Sequence, residues 1–289
     1  MSAHADAFST TALAAPPRIA KRRFALNPGM IASVAVLALS YIFLYLPVIH
    51  IAAASVSSNY VWPYPPRWSF AAFSSLATSS LYWTAFLNSM MLGLASALLA
   101  TSLATAAMFG LMRHPGRHRA WLLGLFVAPL FIADVLQGIS SLVFNGLILG
   151  LPGSIISAVL ANAVHCFTYA LLIIATQLYR YNWRLDEAAM VFGATPWRTF
   201  AEVTWPLTRS SIAAAFLTTF ILAFNNLEIS FYLLGATPTL PSVAWGTLRF
   251  GIKPELYALA TCVNAVVLLV LAGTFAATEL GFFKKRKPY

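Results

Sequence analysis

The chain has 289 residues, of which 60% are hydrophobic and 9% are charged, and its formal net charge is +10. A soluble domain carries about 25% charged residues, so a single water-soluble globule is excluded. The apolar residues lie in continuous blocks without strict alternation, which also excludes a membrane β-barrel. Composition therefore predicts an all-α integral membrane protein.

Six apolar blocks are each long enough to cross a bilayer, which takes about 20 residues per helix. In lipid the backbone polar groups must be paired within the segment, so these blocks are expected to be helices. The predicted spans are Met30–Ile51, Leu81–Leu111, Ala120–Leu147, Ser154–Tyr179, Ser211–Gly235 and Leu256–Phe283. The predicted fold is a bundle of six transmembrane helices.

The positive charges predict the orientation of these spans. Fifteen of the eighteen Lys and Arg lie before the first span, in the second and fourth connections, and after the sixth span. The positive-inside rule then places both termini and the fourth connection, residues 180–210, in the cytoplasm. Residues 1–29 are predicted to be a disordered arm, 30–283 the membrane domain, and 284–289 a basic tail. Because the basic residues are scattered over four segments, nucleic acid is not an expected partner.

The fourth connection begins with a predicted helix, Arg184–Phe192. Asp186 and Glu187 lie in its first turn, where the helix dipole favours acids. Gly193 follows and suits a helix end that needs a positive φ.

A second helix is predicted directly afterwards. Thr195 is a natural N-cap and Pro196 a natural first helical residue. Pro206 is expected to end this helix and to open the fifth span. The product is a bent helix pair, polar on its outside, that projects from the membrane.

The same connection carries a spaced motif. Glu187 is followed by Ala188 and Ala189, Gly193 comes four residues after the second alanine, and Pro206 thirteen residues after that glycine. This pattern resembles the signature loop of the membrane subunits of bacterial ABC importers. The resemblance implies the permease architecture of type I importers, located in the bacterial cytoplasmic membrane. It also implies an ATPase-coupling loop, with Asp186 beside the motif residues.

Further stretches resemble one branch of that family, the spermidine/putrescine permeases, and specifically the second of their two membrane subunits. They are Leu44–Val48, Ala133–Leu136, Leu240–Trp245, Lys253–Glu255 and Ala258–Thr261. The implied function is import of a polyamine or related organic cation. The implied partners are two cytoplasmic ATPase subunits, a second related permease in a heterodimer, and an extracytoplasmic solute-binding protein.

Acids and amides within spans are candidates for the solute path. Inserting an acid at the bilayer centre costs about 2.5–3.5 kcal/mol of free energy. The presence of Asp134 at the midpoint of the third span therefore indicates a specific role. Asn225, Asn226 and Glu228 lie in the fifth span, and on a continuous helix Asn225, Glu228 and Tyr232 would form one polar stripe. The alternative interpretation is that these groups hydrogen-bond between helices.

One departure from the family concerns the solute. Polyamine permeases of this type carry two adjacent aspartates where this chain has Asn225 and Asn226. An amide supplies no countercharge to a polycation, so the path is less acidic than in the relatives. Importers of aminoalkylphosphonates, iron complexes or amino-acid-like compounds remain alternatives.

The sequence predicts no enzyme, cofactor or metal site in this chain. A P-loop needs a Gly-Lys pair, and no lysine here follows a glycine, so ATP is expected to bind to a partner subunit. No Ser-His-Asp set or cysteine cluster is present, and His165, inside a span, is expected to be a packed, hydrogen-bonded residue. A gradient-driven secondary transporter would explain the acids in the spans but not the loop motif.

Overall fold

The computed structural model describes residues 28–58, 68–113, 116, 118–151 and 153–279, with side chains in the last helix described to residue 265 and at residue 268. Most of the predicted N-terminal arm and all of the basic tail at 284–289 lie outside these residues. The chain divides into two units, residues 1–50 and 51–289. The described part of the first unit is a single helix, α1 (Pro28–Ser55), which ends in the second unit.

Helices make up most of the described second unit. In chain order they are α2 (Ala71–Thr78), α3 (Ser80–Arg113), α4 (Arg119–Val127), α5 (Asp134–Leu147), α6 (Ile155–Leu178), α7 (Arg184–Val191), α8 (Pro196–Thr199), α9 (Trp205–Asn225), α10 (Glu228–Leu234), α11 (Leu240–Phe250) and α12 (Pro254–Glu279). A 3-10 turn, Ala128–Phe131, follows α4, and a π-helical turn, Phe200–Thr204, joins α8 to α9.

Four helices of the described chain are long and apolar enough to cross a membrane. They are Gly29–Ser55, Ser80–Arg113, Ile155–Leu178 and Pro196–Asn225, in the regions of the first, second, fourth and fifth predicted spans. A fifth crossing would be a broken one, formed by Arg119–Phe131 and Asp134–Leu147 with a bend of 103° between them. The helix α12 occupies most of the sixth predicted span, and the total of six spans stays a prediction.

The third span is not the single helix that was predicted for Ala120–Leu147. Pro129 lies in the 3-10 turn, and Ile132 and Ala133 are extended, with ψ of 127° and 138°. A proline cannot donate the helix hydrogen bond of its own position, which favours an interruption there. An average of hydropathy is insensitive to such a break because the residues at the break are themselves apolar.

The fifth span also differs from its prediction, Ser211–Gly235. The helix begins earlier, because α8, the π-helical turn and α9 run on from Pro196 to Asn225 without interruption. It is then broken at Asn226 and Leu227 before α10 begins. The helix therefore begins at Pro196 and is interrupted at Asn226, and the sequence analysis singles out both residues.

The core of the second unit is the packing of α3, α6 and α9 against one another. Small buried residues line these contacts and let the helix backbones approach closely, as is usual between membrane helices. They include Ala97, Ala100, Ala104, Ala163, Cys166, Ala170, Ala215 and Ala223. A polar link joins two of the helices: the hydroxyls of Thr101 on α3 and Thr219 on α9 lie 3.3 Å apart.

Candidate functional site

The connection between α6 and α9 forms the bent helix pair that its sequence predicts. Gly193, just after α7, has a φ of 89°, a left-handed conformation that glycine adopts without strain. Thr195 caps α8, because its Oγ1 accepts a hydrogen bond from the Arg198 N–H at 3.3 Å, and Pro196 is the first helical residue. The local predictions for the glycine, the cap and the proline are confirmed.

Pro206 does not end a helix, contrary to the prediction. It lies in the first turn of α9, directly after the π-helical turn. A proline ring inside a regular helix would collide with the carbonyl four residues earlier, here that of Glu202. The wider turn over Phe200–Thr204, in which the Trp205 N–H bonds to the Phe200 carbonyl, accommodates the proline and lets the helix continue. The second helix of the pair is thus continuous with α9, from Pro196 to Asn225.

Asp186 points into the protein and is 5% exposed. Its carboxylate accepts hydrogen bonds from the Tyr181 hydroxyl and from Thr204 Oγ1, the latter at 3.1 Å from each carboxylate oxygen. Arg113 Nη2, at the end of α3, lies 3.7 Å from Asp186 Oδ2. One carboxylate thus links the end of α3, the segment after α6 and the turn before α9.

The protonation of Tyr181 supports this arrangement. Burial is the main cause that raises the pKa of Tyr181 to about 12, and the hydrogen bond to Asp186 acts in the same direction. The hydroxyl therefore remains a donor to Asp186 throughout the physiological range. We call Arg113, Tyr181, Asp186 and Thr204 the carboxylate lock.

The outer side of the helix pair is more apolar than the sequence analysis expected. Val191, Phe192 and Trp197 are 85%, 91% and 77% exposed. Glu187 and Ala188 are exposed on the same helix, each four residues before one of the first two, and Ala189 is half-buried. Residues four apart share a helix face, so Glu187, Ala188, Val191 and Phe192 form one surface beside Gly193. After the role proposed for them below, we call these residues, with Trp197, the docking face.

The predicted solute-path residue Asp134 is the first residue of α5, at the break in the third span, and not at the middle of a helix. Its carboxylate oxygen Oδ1 lies 3.5 Å from His165 Nδ1 on α6. The same imidazole nitrogen is 3.0 Å from Gln137 Oε1, one turn further along α5. The imidazole of His165 thus contacts two polar side chains of α5, the carboxylate of Asp134 and the amide of Gln137.

The fifth-span residues do not form one stripe on a continuous helix, because the helix is broken between them. Asn225 is the last residue of α9 and Glu228, which is exposed, is the first of α10. The side chain of Asn226 caps α10: its Oδ1 accepts hydrogen bonds from the N–H groups of Ile229 at 2.9 Å and Ser230 at 3.4 Å. Asn226 therefore has a structural role in capping α10, whereas the side chains of Asn225 and Glu228 are exposed.

The two helix breaks come together through Gly138. A Cβ atom at this position would lie 3.1 Å from Ile229 Cα, 3.3 Å from the Glu228 carbonyl oxygen and 3.0 Å from the Tyr232 ring. Because Gly138 is one helical turn from Asp134, the start of α5 lies near the start of α10. Discontinuous helices that meet inside a membrane are a known way to build solute sites.

Replacing Gly138 by leucine is expected to separate α5 from α10 and to lower uptake by about tenfold or more. Two of the three closest atoms belong to backbone, so the contact cannot be relieved by a side-chain rotation, and overpacking of this kind costs about 1–3 kcal/mol. Gly146 is the matched control on the same helix, since its Cβ would meet nothing within 4 Å. Uptake and the melting temperature of the purified complex measure both effects; equal behaviour of Gly138→Leu and Gly146→Leu would contradict the role of this contact.

Sequence reasoning missed Gln137 and Gly138 and treated His165 only as a packed residue. His165 is indeed packed and hydrogen-bonded. A polar residue one turn after Asp134 and a histidine in the middle of the next span were the available signals. Their meeting could not be inferred without the fold, because the pairing depends on which face of α6 meets α5.

A family model described as "Binding-protein-dependent transport system inner membrane component" matches residues 102–280, more than half of the chain. The chain belongs to this family. It is a multi-pass membrane permease subunit of an ABC importer, a family in which the ATPase is a separate protein and the permease is not an enzyme. The matched region includes the carboxylate lock, the docking face and both helix breaks.

The permease resembles transporters named for polyamines. It is 29% identical over 245 residues to the putrescine transport system permease protein PotI of Escherichia coli K12, covering 82% of this chain and 87% of PotI. It is 24% identical over 237 residues to the spermidine/putrescine permease protein PotC of the same strain, covering 80% and 86%. PhnV of Salmonella paratyphi A, named for 2-aminoethylphosphonate transport, is 28% identical over 225 residues, covering 78% and 80%.

The fold of the permease is also similar to a solved structure. A bacterial alginate ABC transporter, crystallised with its alginate-bound periplasmic protein, aligns with a TM-score of 0.64 at 17% identity, over 90% of this chain and 96% of that one. At this level of identity the similarity concerns the fold. It agrees with the helical membrane architecture predicted from the sequence.

Proposed function

We propose that this permease imports a polyamine or a related organic cation. The observation that carries the proposal is the similarity to PotI and PotC over about four-fifths of the chain, at 29% and 24% identity. The ionisable side chains at the two helix breaks agree with it, since Asp134 and Glu228 are both acids. Carboxylates within a membrane are suited to replace the water around an ammonium group.

We propose that the importer contains two cytoplasmic ATPase subunits, which bind the ATP, and that one of them docks on the loop between α6 and α9 of this permease. The docking face supports this, because its side chains Val191 and Phe192 are almost fully exposed. Adjacent exposed apolar side chains outside the membrane helices are typical of a surface that binds another protein. The carboxylate lock would carry a displacement of the docking face to α3 and α9. Closure of the ATPases would in this way switch access to the solute path.

The remaining proposed partners follow from the same family. A second related permease would complete a heterodimer, and an extracytoplasmic binding protein would deliver the solute. The assembly would lie in the bacterial cytoplasmic membrane with both termini and the basic tail inside. The positive-inside distribution of charge supports this orientation.

An aminoalkylphosphonate is the second candidate solute. The similarity to PhnV, 28% over 225 residues, favours it. The amides Asn225 and Asn226 also favour a cargo with less positive charge than a polyamine, although Asn226 is engaged in capping α10. Both candidates carry a primary ammonium group, for which Asp134 and Glu228 would be suitable ligands.

Glu228→Gln is expected to weaken uptake of a cationic solute by about 10- to 100-fold. A hydrogen bond to a charged group contributes about 1.5–3 kcal/mol, and each 1.4 kcal/mol is a factor of ten in binding. The side chain is exposed, so the exchange should leave insertion and assembly unchanged. Glu228→Asp keeps the charge and should retain most of the uptake. Normal uptake by Glu228→Gln would show that this acid does not contact the solute.

A further inference from the structure

Asp134, Gln137 and His165 form a compact polar cluster between α5 and α6. His165 and Gln137 are 8% and 7% exposed, whereas the Asp134 side chain is 36% exposed. His165 Nδ1 lies 3.0 Å from Gln137 Oε1 and 3.5 Å from Asp134 Oδ1. Only the carboxylate of this cluster is open to the surroundings, and the imidazole lies behind it.

The neighbours of His165 determine its tautomer. A carboxylate accepts hydrogen bonds and cannot donate, and the Gln137 oxygen is likewise an acceptor. Nδ1 must therefore carry the hydrogen when the ring is neutral. Nε2 is then the acceptor nitrogen, and it has no hydrogen-bond partner among the residues that the structure describes. A further proton would be taken up at Nε2 and would leave the Nδ1–H contact with Asp134 intact.

Few other charged groups can influence this ring. Asp134 is the charged neighbour on α5. The titratable neighbours on α6 are Cys166 and Tyr169, and the ring centroid of Tyr169 lies 5.3 Å from that of His165. The charged residue of α10 is Glu228 at its first position. Those of α3, α4 and α9 are Arg113, Arg119 and Arg209, and they lie near helix ends away from this cluster. The 3-10 turn before the break has none. The charge of the cluster is thus decided by Asp134 and His165.

We propose that His165 controls the charge of an ammonium-binding subsite at Asp134. With neutral His165 the carboxylate keeps its negative charge and binds the ammonium group of the solute. With protonated His165 the imidazolium, 3.5 Å from the carboxylate, neutralises it and competes with the solute. His165 is in this role a specificity-determining residue that makes recognition of a cation sensitive to acid. The inference rests on the proposed function as a cation importer.

The test is ATP-driven uptake of labelled putrescine by the complete complex in proteoliposomes, with the binding protein saturated. The pH is varied between about 7.5 and about 5, which covers the ordinary range of a histidine and extends below it. Putrescine remains a dication over this range, because alkylamines titrate near pH 10. We expect the KM for putrescine-loaded binding protein to rise by about fivefold or more on acidification, with a smaller change in the maximal rate.

Two variants remove the titration without removing the polar group. His165→Asn places an amide near the position of Nδ1, and His165→Gln places one near Nε2; neither can become charged. Both are expected to transport with a KM that no longer changes with pH. His118→Asn is the matched control, because His118 is exposed just before α4 and should leave the pH profile unchanged.

The possible outcomes separate this inference from the proposed function. A KM that depends on pH in the wild type and in His118→Asn, but not in either His165 variant, supports it. The same pH dependence in the His165 variants as in the wild type would overturn it, as would complete loss of uptake in both variants while the complex assembles and hydrolyses ATP. A wild-type complex that moves cations with a flat pH profile contradicts only this inference, whereas one that moves no cation at any pH contradicts the proposed function.

Discussion

Replacing Gly193 by aspartate is expected to abolish ATP-driven uptake while the amount of permease in the membrane stays normal. The backbone at Gly193 has a φ of 89°, and a Cβ atom there would meet nothing within 4 Å. The left-handed conformation costs an L-residue about 1–2 kcal/mol, and aspartate and asparagine tolerate it better than most residues. The helix pair should therefore still form.

The loss of uptake is expected to come from the surface and not from the fold. Gly193 lies beside the apolar side chains of Val191 and Phe192, so the aspartate would bring a charge to the edge of the docking face. Burying an unpaired carboxylate against a partner protein is strongly unfavourable.

Gly193→Asn is the matched control for this prediction, because asparagine has nearly the same shape and backbone tolerance without the charge. It should retain a measurable part of the uptake and of ATPase binding, whereas Gly193→Asp should lose both. The measurements are uptake in cells and the amount of ATPase that co-purifies with the permease. Intact uptake with aspartate at this position would mean that the loop is not the ATPase-coupling element.

Replacing Asp186 by alanine is expected to lower transport severely through loss of the carboxylate lock. The exchange leaves the Tyr181 and Thr204 hydroxyls without their acceptor in a buried place, which costs about 1–3 kcal/mol for each group. Loss of the ion pair with Arg113 destabilises the connection less, because the Arg113 side chain is 44% exposed and water screens the pair. The connection between α6 and α9 should become mobile relative to α3.

The adjacent acid provides the matched control. Glu187 is exposed on the docking face and is not part of the lock. In the isolated permease, Asp186→Ala should expose the bonds after Arg184 and Arg198 to trypsin, and Glu187→Ala should not. In the complete complex, Asp186→Ala should hydrolyse ATP with little transport per ATP, and Asp186→Asn, which keeps an acceptor for Tyr181 and Thr204, should be less affected. Equal protease resistance in all three variants would contradict the lock.

Local features of the fold could be predicted where neighbouring residues determine the backbone. Gly193, Thr195 and Pro196 define a helix end and a helix start by their own conformational limits, and the structure agrees at all three positions. The membrane helices could be predicted from the long apolar segments, because backbone polar groups in lipid must be paired within the segment. These predictions needed no knowledge of distant contacts.

The helix breaks were harder to predict, because the residues around them remain apolar. Ile132 and Ala133 would suit a helix as well as an extended segment. Asn226 is a natural cap for a helix that begins at Glu228, but the same residue is also read as a polar position within a span. Pro129 was the clearest available signal of the first break.

The inward orientation of Asp186 depends on long-range contacts. In the sequence it appears as an exposed acid that complements a helix dipole, equivalent to Glu187. Arg113 reaches its carboxylate from the end of α3, and Thr204 reaches it from the π-helical turn that packs against α7. The pairing of Asp134 with His165 has the same origin, because two helices that are separate in sequence contribute one residue each.

Uptake of labelled putrescine and spermidine is the measurement that tests the proposed function most directly. It is made in cells that carry the complete transport system, and again after deletion of this permease or inactivation of the ATPase. We expect uptake that requires both proteins and that is competed by unlabelled polyamine but not by a neutral sugar. Absence of polyamine uptake, with the complex assembled and its ATPase active, would contradict the proposed cargo, and uptake that continues without the ATPase would contradict the coupling of this permease to ATP.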